Sequence, residues 1–161
     1  FCKSVLATDT AEGMLKKGKE YLESNFKTKG VSYFYGDILE KNSPPNAPYD
    51  LFFISGLILY LDEKTLLKLL NFINIFATNN SIIVMREPVG VKKEYILDNI
   101  FSEELQMKYS AIYRTEKDIL KKFDKINFVE SKNIWVHQNG SKFNRWSETR
   151  LKLFIFKRMQ K

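Results

Sequence analysis

The 161 residues, 44% of them apolar, suffice for one hydrophobic core and exclude a disordered chain. One cysteine, Cys2, excludes an internal disulfide framework and a cysteine-rich zinc site, which fits a reducing cytoplasm. The net charge of +7 is lopsided: residues 1–107 hold 12 Lys and Arg against 14 Asp and Glu, and residues 108–161 hold 14 against 5, so an anionic partner such as nucleic acid would meet the last third.

No membrane segment is expected. The longest apolar run, 51–61, is broken by Ser55 and Gly56 and falls short of the ~20 residues that span a bilayer. The start, 1–6, is too short for a leader's apolar region.

The stretch 5–15 (VLATDTAEGML) reads as a strand that ends on Asp9 and turns at once into a helix. In a parallel sheet that end of a strand is where ligands bind, and a carboxylate there can accept two hydrogen bonds from a ribose. Asp9 and Thr10 could equally serve the helix alone, by satisfying its free amides. Met14, Leu15, Gly18, Tyr21 and Leu22 fall on one helical stripe, and Gly18 within it predicts close approach to the sheet.

Residues 31–35 (VSYFY) form a second strand, followed by Gly36, Asp37 and Ile38. Two strand-ending acids one helix apart describe an adenosine site: one holds the ribose, the other accepts from the adenine amine, and the Ile38 amide meets a ring nitrogen. The loop 42–48 (NSPPNAP) leads to 49–56 (YDLFFISG), so continuously apolar that it reads as a central strand buried on both faces, with Ser55 and Gly56 leaving room for a ligand at its end.

Asp62 caps a helix rich in Leu, Ile and Phe up to Phe76. Residues 81–85 (SIIVM) are the next strand; Glu87, just past it, points by the same rule to the cleft, where it could remove a proton from an acceptor or pair with Arg86. Helical spacing of Tyr95, Ile96, Ile100, Phe101 and Leu105 predicts a helix or lid over 92–107, with Tyr109, Tyr113 and Arg114 lining an acceptor pocket. A helix over 116–123 and two strands, 126–136 and 151–156, close the chain as an antiparallel pair. His137, the only histidine, could act as a general base, although nothing at ligand spacing surrounds it; Trp135 and Trp146 read as core or edge cover. No acid cluster with metal-site spacing appears, so no metal is expected.

In order and spacing, VLATDTAEGML, YFYGDIL, YDLFFISGLILYL, SIIVMREPVG and the final LKLFIF resemble the class I S-adenosylmethionine-dependent methyltransferases over nearly the whole chain. The resemblance implies an α/β, Rossmann-like, seven-stranded sheet of order 3-2-1-4-5-7-6 with its last strand antiparallel and helices on both faces, in one domain over 1–161. It implies S-adenosylmethionine as cofactor and S-adenosylhomocysteine as product. Asp9 and Thr10 then serve the ribose, Met14 packs near the cofactor, Asp37 and Ile38 hold adenine, and Ser55 with Gly56 flanks the methionine moiety. Glu87, Tyr113 and His137, in that order, are the candidates for moving a proton.

The family's first strand and its glycine-rich loop would precede residue 1, so upstream residues or a partner are expected to supply that strand. The acceptor is expected to be a small molecule or peptide, with nucleic acid admitted by the basic last third. Two rivals remain. A non-catalytic, methyltransferase-like subunit would explain the missing loop, and a nicotinamide-dependent dehydrogenase would explain Asp9 but not Asp37 or the antiparallel ending.

Overall fold

The computed structural model describes residues 3–27, 29–41, 43–103 and 106–159, which leaves Cys2, Asn42 and Leu105 of the features above outside the described residues. The chain forms two compact units, Phe1–Ala47 and Pro48–Lys161.

In the first unit, β1 (Val5–Asp9) and β2 (Val31–Tyr35) pair in parallel, from Val5 opposite Val31 to Asp9 opposite Tyr35. Helix α1 (Glu12–Asn25) connects them, and a 3-10 turn (Ile38–Glu40) follows β2. The expected helical stripe is only partly used. Leu15 and Leu22, seven residues apart, are half-buried, whereas Met14 and Tyr21 are 63% and 62% exposed. A two-stranded sheet is too narrow to cover more than one row of the helix. A Cβ placed on Gly18 would meet nothing within 4 Å, so the expected close approach there is absent.

The second unit is built on a four-stranded sheet of order β3-β4-β8-β7, made of β3 (Tyr49–Ser55), β4 (Ala77–Gly90), β7 (Phe128–Trp135) and β8 (Thr149–Arg158). β3 and β4 are parallel, joined by α2 (Glu63–Phe76); β8 runs antiparallel to both β4 and β7. α2 starts as expected, with Asp62 accepting from the Thr65 amide at 2.7 Å, a bond that holds this carboxyl below its usual value. α3 (Glu116–Asp124) is likewise capped by Thr115.

Side-chain alternation splits the sheet into two unlike faces. Ile83 and Met85 on β4 and Phe154 and Phe156 on β8 are completely buried, together with Leu66 and Ile73 of α2 and Ile119 and Phe123 of α3. Burying side chains of this size contributes on the order of 1.5–3 kcal/mol each. The alternate residues Ile82, Val84, Leu153 and Ile155 are only half-buried, and Leu51 and Phe53 on β3 are 55% and 68% exposed. Among the described residues β3 is hydrogen-bonded to β4 alone, so the second neighbour expected of a central strand is not found within them.

Two further expectations fail for identifiable reasons. The described residues of 92–107 do not form the expected helix: β5 (Tyr95–Ser102) and β6 (Met107–Tyr113) make an antiparallel hairpin. The register slips between Leu97 and Ile100, Asn99 takes a φ of +52°, and Ser110 Oγ both accepts from the Asn99 amide and donates to Asp98. Such a bulge breaks the two-residue alternation and leaves a spacing that imitates a helix. β4, for its part, does not stop at Met85 but continues through Pro88 to Gly90. β3 ends at Ser55, opposite Arg86, so over Glu87, Pro88 and Val89 β4 pairs with β8 alone among the described residues, a position where proline is tolerated.

Candidate functional site

In the first unit the two strand-ending acids lie at one end of a parallel pair. Asp9 closes β1 directly opposite Tyr35, and Asp37 stands two residues past Tyr35. The Gly36 amide donates to the Asp9 carbonyl at 3.0 Å, which ties the two strand ends together. Each carboxylate uses Oδ1 locally: Asp9 accepts from the Ala11 amide at 2.8 Å and Asp37 from the Leu39 amide at 2.9 Å. Asp37 thus caps the 3-10 turn, while Asp9 makes an Asx turn ahead of α1, whose N-cap is Ala11. These bonds orient the carboxylates toward the strand ends without burying them: Asp9 is half-buried, and Thr10, Met14 and Asp37 are exposed beside a half-buried Ile38.

In the second unit Ser55 and Gly56 end β3. Gly56 has a φ of +60°, a conformation that favours glycine, and its amide donates to the Arg86 carbonyl at 2.9 Å. Open space lies where its side chain would be. Ser55 Oγ accepts from Arg86 at 3.4 Å. A 3-10 turn, Ile58–Tyr60, follows directly.

Glu87 is not at an open sheet end. Continuation of β4 puts it on the helix-covered face in line with Ile83 and Met85, and it is completely buried. Its Oε1 accepts from the amides of Leu57 at 2.6 Å and Ile58 at 3.1 Å, whereas Oε2 is buried without a partner among the described residues. Desolvation outweighs these amide bonds and the nearby Arg114 charge, so its pKa is pushed up to about 7.

Arg114, 3% exposed, grips the same turn from the other side: one guanidinium nitrogen donates to the Ile58 carbonyl and the other to the Leu61 carbonyl, both at 2.7 Å. Sequence reasoning missed this pairing of buried charges. Its one signal was an arginine directly after the apolar, aromatic run of β6. Gly90, whose amide donates to the Arg114 carbonyl at 3.0 Å, is required by crowding, since a Cβ there would lie 2.2 Å from the Lys93 carbonyl oxygen.

Tyr113 is half-buried, its ring 5.9 Å from that of Tyr95 across the hairpin. Burial, a hydrogen bond with Tyr109 and the neighbouring Tyr60 and Tyr95 push its pKa up. His137 lies in the loop after β7, two strands away from β4, with its ring 5.0 Å from Phe143. Trp135 and Trp146 are 41% and 68% exposed, not core; Trp135 carries the Lys152 ammonium over its ring at 4.5 Å.

Some basic residues of the last third are engaged within the fold. Lys152 pairs with Glu116 and Lys122 with Glu63, and Arg158 donates to carbonyls of Asn74 and Ala77 at the end of α2. Among the described residues there is no cluster of three or more metal-ligating side chains, and no helix is long and apolar enough to cross a membrane.

No family model matches the chain, and no curated protein does. Solved structures do. A methyltransferase dependent on S-adenosylmethionine from Methanosarcina mazei superposes with a TM-score of 0.73 at 9% identity, over 98% of this chain and 83% of that one. One from Mesorhizobium loti gives 0.67 at 13% identity, over 98% and 81%. The N-methyltransferase NodS from Bradyrhizobium japonicum, solved with S-adenosylhomocysteine, gives 0.63 at 12% identity, over 99% and 68%. At such identities the likeness is one of fold.

Proposed function

We propose that this chain, whose fold is that of the class I S-adenosylmethionine-dependent methyltransferases, binds S-adenosylmethionine and transfers its methyl group to an N, O or S nucleophile of a small molecule or peptide. The observation that carries the reading is the pair Asp9 and Asp37 at one end of the parallel β1–β2 pair, each locally oriented and solvent-accessible. Their chemistry fits the group: carboxylate oxygens accept from ribose hydroxyls and from the adenine amine, and the Ile38 backbone can donate to the ring.

In the second unit the reading assigns the methionine moiety to Ser55 and Gly56, which the open space at Gly56 supports. When bound, the cofactor supplies a methyl carbon already activated on sulfonium, so the protein's task is alignment and exclusion of water. Tyr113, half-buried on the hairpin beside Tyr95, would line the acceptor pocket. His137 remains the candidate for taking the proton, because Glu87 is committed to backbone amides.

Titration of S-adenosylhomocysteine by calorimetry tests the reading. Saturable binding, weakened about tenfold or more in Asp9→Ala, supports it; no binding by the folded chain overturns it. The rival, a non-catalytic subunit, is favoured by one observation, the outer edge of β3, which has no neighbouring strand among the described residues and exposes Leu51 and Phe53. It predicts no binding in the same titration.

A further inference from the structure

Ile58 is held on both sides by a buried polar side chain. Its N–H reaches Glu87 Oε1 on β4 at 3.1 Å and its carbonyl accepts from Arg114, the residue directly after the β5–β6 hairpin, at 2.7 Å. Leu57 before it is held by the same carboxylate and Leu61 after it by the same guanidinium. Arg114 lies 3.8 Å from Glu63 at the start of α2, and its own carbonyl accepts from Gly90 on β4. Glu87 holds two amides and Arg114 two carbonyls of one short turn, so this arrangement fixes the turn rather than merely filling space. Arg114 is also covalently next to Tyr113, on the strand that packs against the turn.

We propose that Arg114 and Glu87 form a two-sided clasp that joins the turn after Gly56 and the β5–β6 hairpin into one mechanical element, with Arg114 carrying occupancy of the turn to the tyrosines of the hairpin. Both are positioning residues, acting through Ile58 and Leu61. The inference rests on the reading that the turn borders bound cofactor, and it deepens that reading: cofactor on one side and acceptor on the other strengthen each other's binding through one arginine. Lysine cannot replace it, because a single ammonium lacks the fork that reaches two carbonyls at once.

Hydrogen exchange of the whole chain, with and without S-adenosylhomocysteine, tests this. In the wild type the ligand should slow exchange both at 57–61 and along 95–113, by about tenfold or more. In Arg114→Lys it should still slow exchange at 57–61 but no longer along the hairpin. Glu87→Gln should behave as wild type, since its amide oxygen can accept the same two N–H groups. Slowing of the hairpin that persists in Arg114→Lys, or a wild-type hairpin that ignores bound ligand, overturns the clasp.

If Arg114→Lys does not fold, the wild-type response of the hairpin decides alone. If the wild type binds no ligand, the cofactor reading fails separately. The clasp is then judged without ligand: Arg114→Lys must loosen the turn and the hairpin together, and loosening of one only overturns it.

Discussion

The chain uses an acid after an apolar strand three times, and the two units put it to opposite uses. At the ends of β1 and β2, Asp9 and Asp37 stay within reach of solvent, each spending one oxygen on a local amide. On β4 the strand continues past the acid, so Glu87 turns onto the covered face and spends its carboxylate on the amides of Leu57 and Ile58. The residue pattern is the same; what differs is whether the strand stops. An acid at a true strand end is available to a ligand, and one inside a longer strand becomes part of the backbone's own hydrogen bonding.

Removing the buried acid should have the largest effect. Glu87→Ala leaves two amides of the 57–58 turn without an acceptor and opens a cavity beneath them. The expected loss is on the order of 3 kcal/mol in denaturant unfolding, whereas Asp9→Ala should cost less than about 1 kcal/mol. Equal losses would erase the contrast.

A pH series sharpens the comparison further. The carboxyl of Glu87 is raised from 4.5 in the unfolded chain to about 7 in the fold. The neutral form is therefore favoured by folding: its contribution is complete below pH 4.5, declines as pH rises from there to 7, and is gone above 7. The wild type should lose stability relative to Glu87→Gln between pH 5 and pH 8, by an amount on the order of 2–3 kcal/mol. A constant difference across that window would mean that Glu87 is ionised throughout.

Binding reads the exposed acids. Asp9→Ala should weaken S-adenosylhomocysteine about tenfold or more, and Asp37→Ala, which removes one bond to the base, by about threefold to tenfold. The smallest effect concerns α1. Gly18 is exposed in a helix interior with free space at its Cβ, so Gly18→Ala should stabilise the first unit by about 0.5–1 kcal/mol in thermal unfolding. A destabilisation there would show that this face of α1 is covered in solution.

Local signals were legible where they coincide with tertiary structure. Asp62 before a leucine-rich run, the helix over 116–123 and the strand over 151–156 all formed as their sequence predicts. The paired acids Asp9 and Asp37 were legible too, because both strands end where glycine or a helix start says they should. The hairpin was hidden by a single bulge at Asp98 and Asn99, which converted strand alternation into apparent helical spacing. Glu87 was misplaced because Pro88 and Gly90 look like breakers, and only the sheet shows that β4 runs on through Pro88 paired with β8. The grip of Arg114 on Ile58 and Leu61 joins residues 56 and 53 positions apart in sequence, a distance over which no local pattern speaks.

The most direct test is one calorimetric titration of S-adenosylhomocysteine run on the wild type, Asp9→Ala and Glu87→Gln. The account predicts saturable binding by the wild type, binding weakened at least about tenfold in Asp9→Ala, and binding within about threefold of wild type in Glu87→Gln. Failure of the folded wild type to bind, or a loss in Glu87→Gln as large as that in Asp9→Ala, would contradict it.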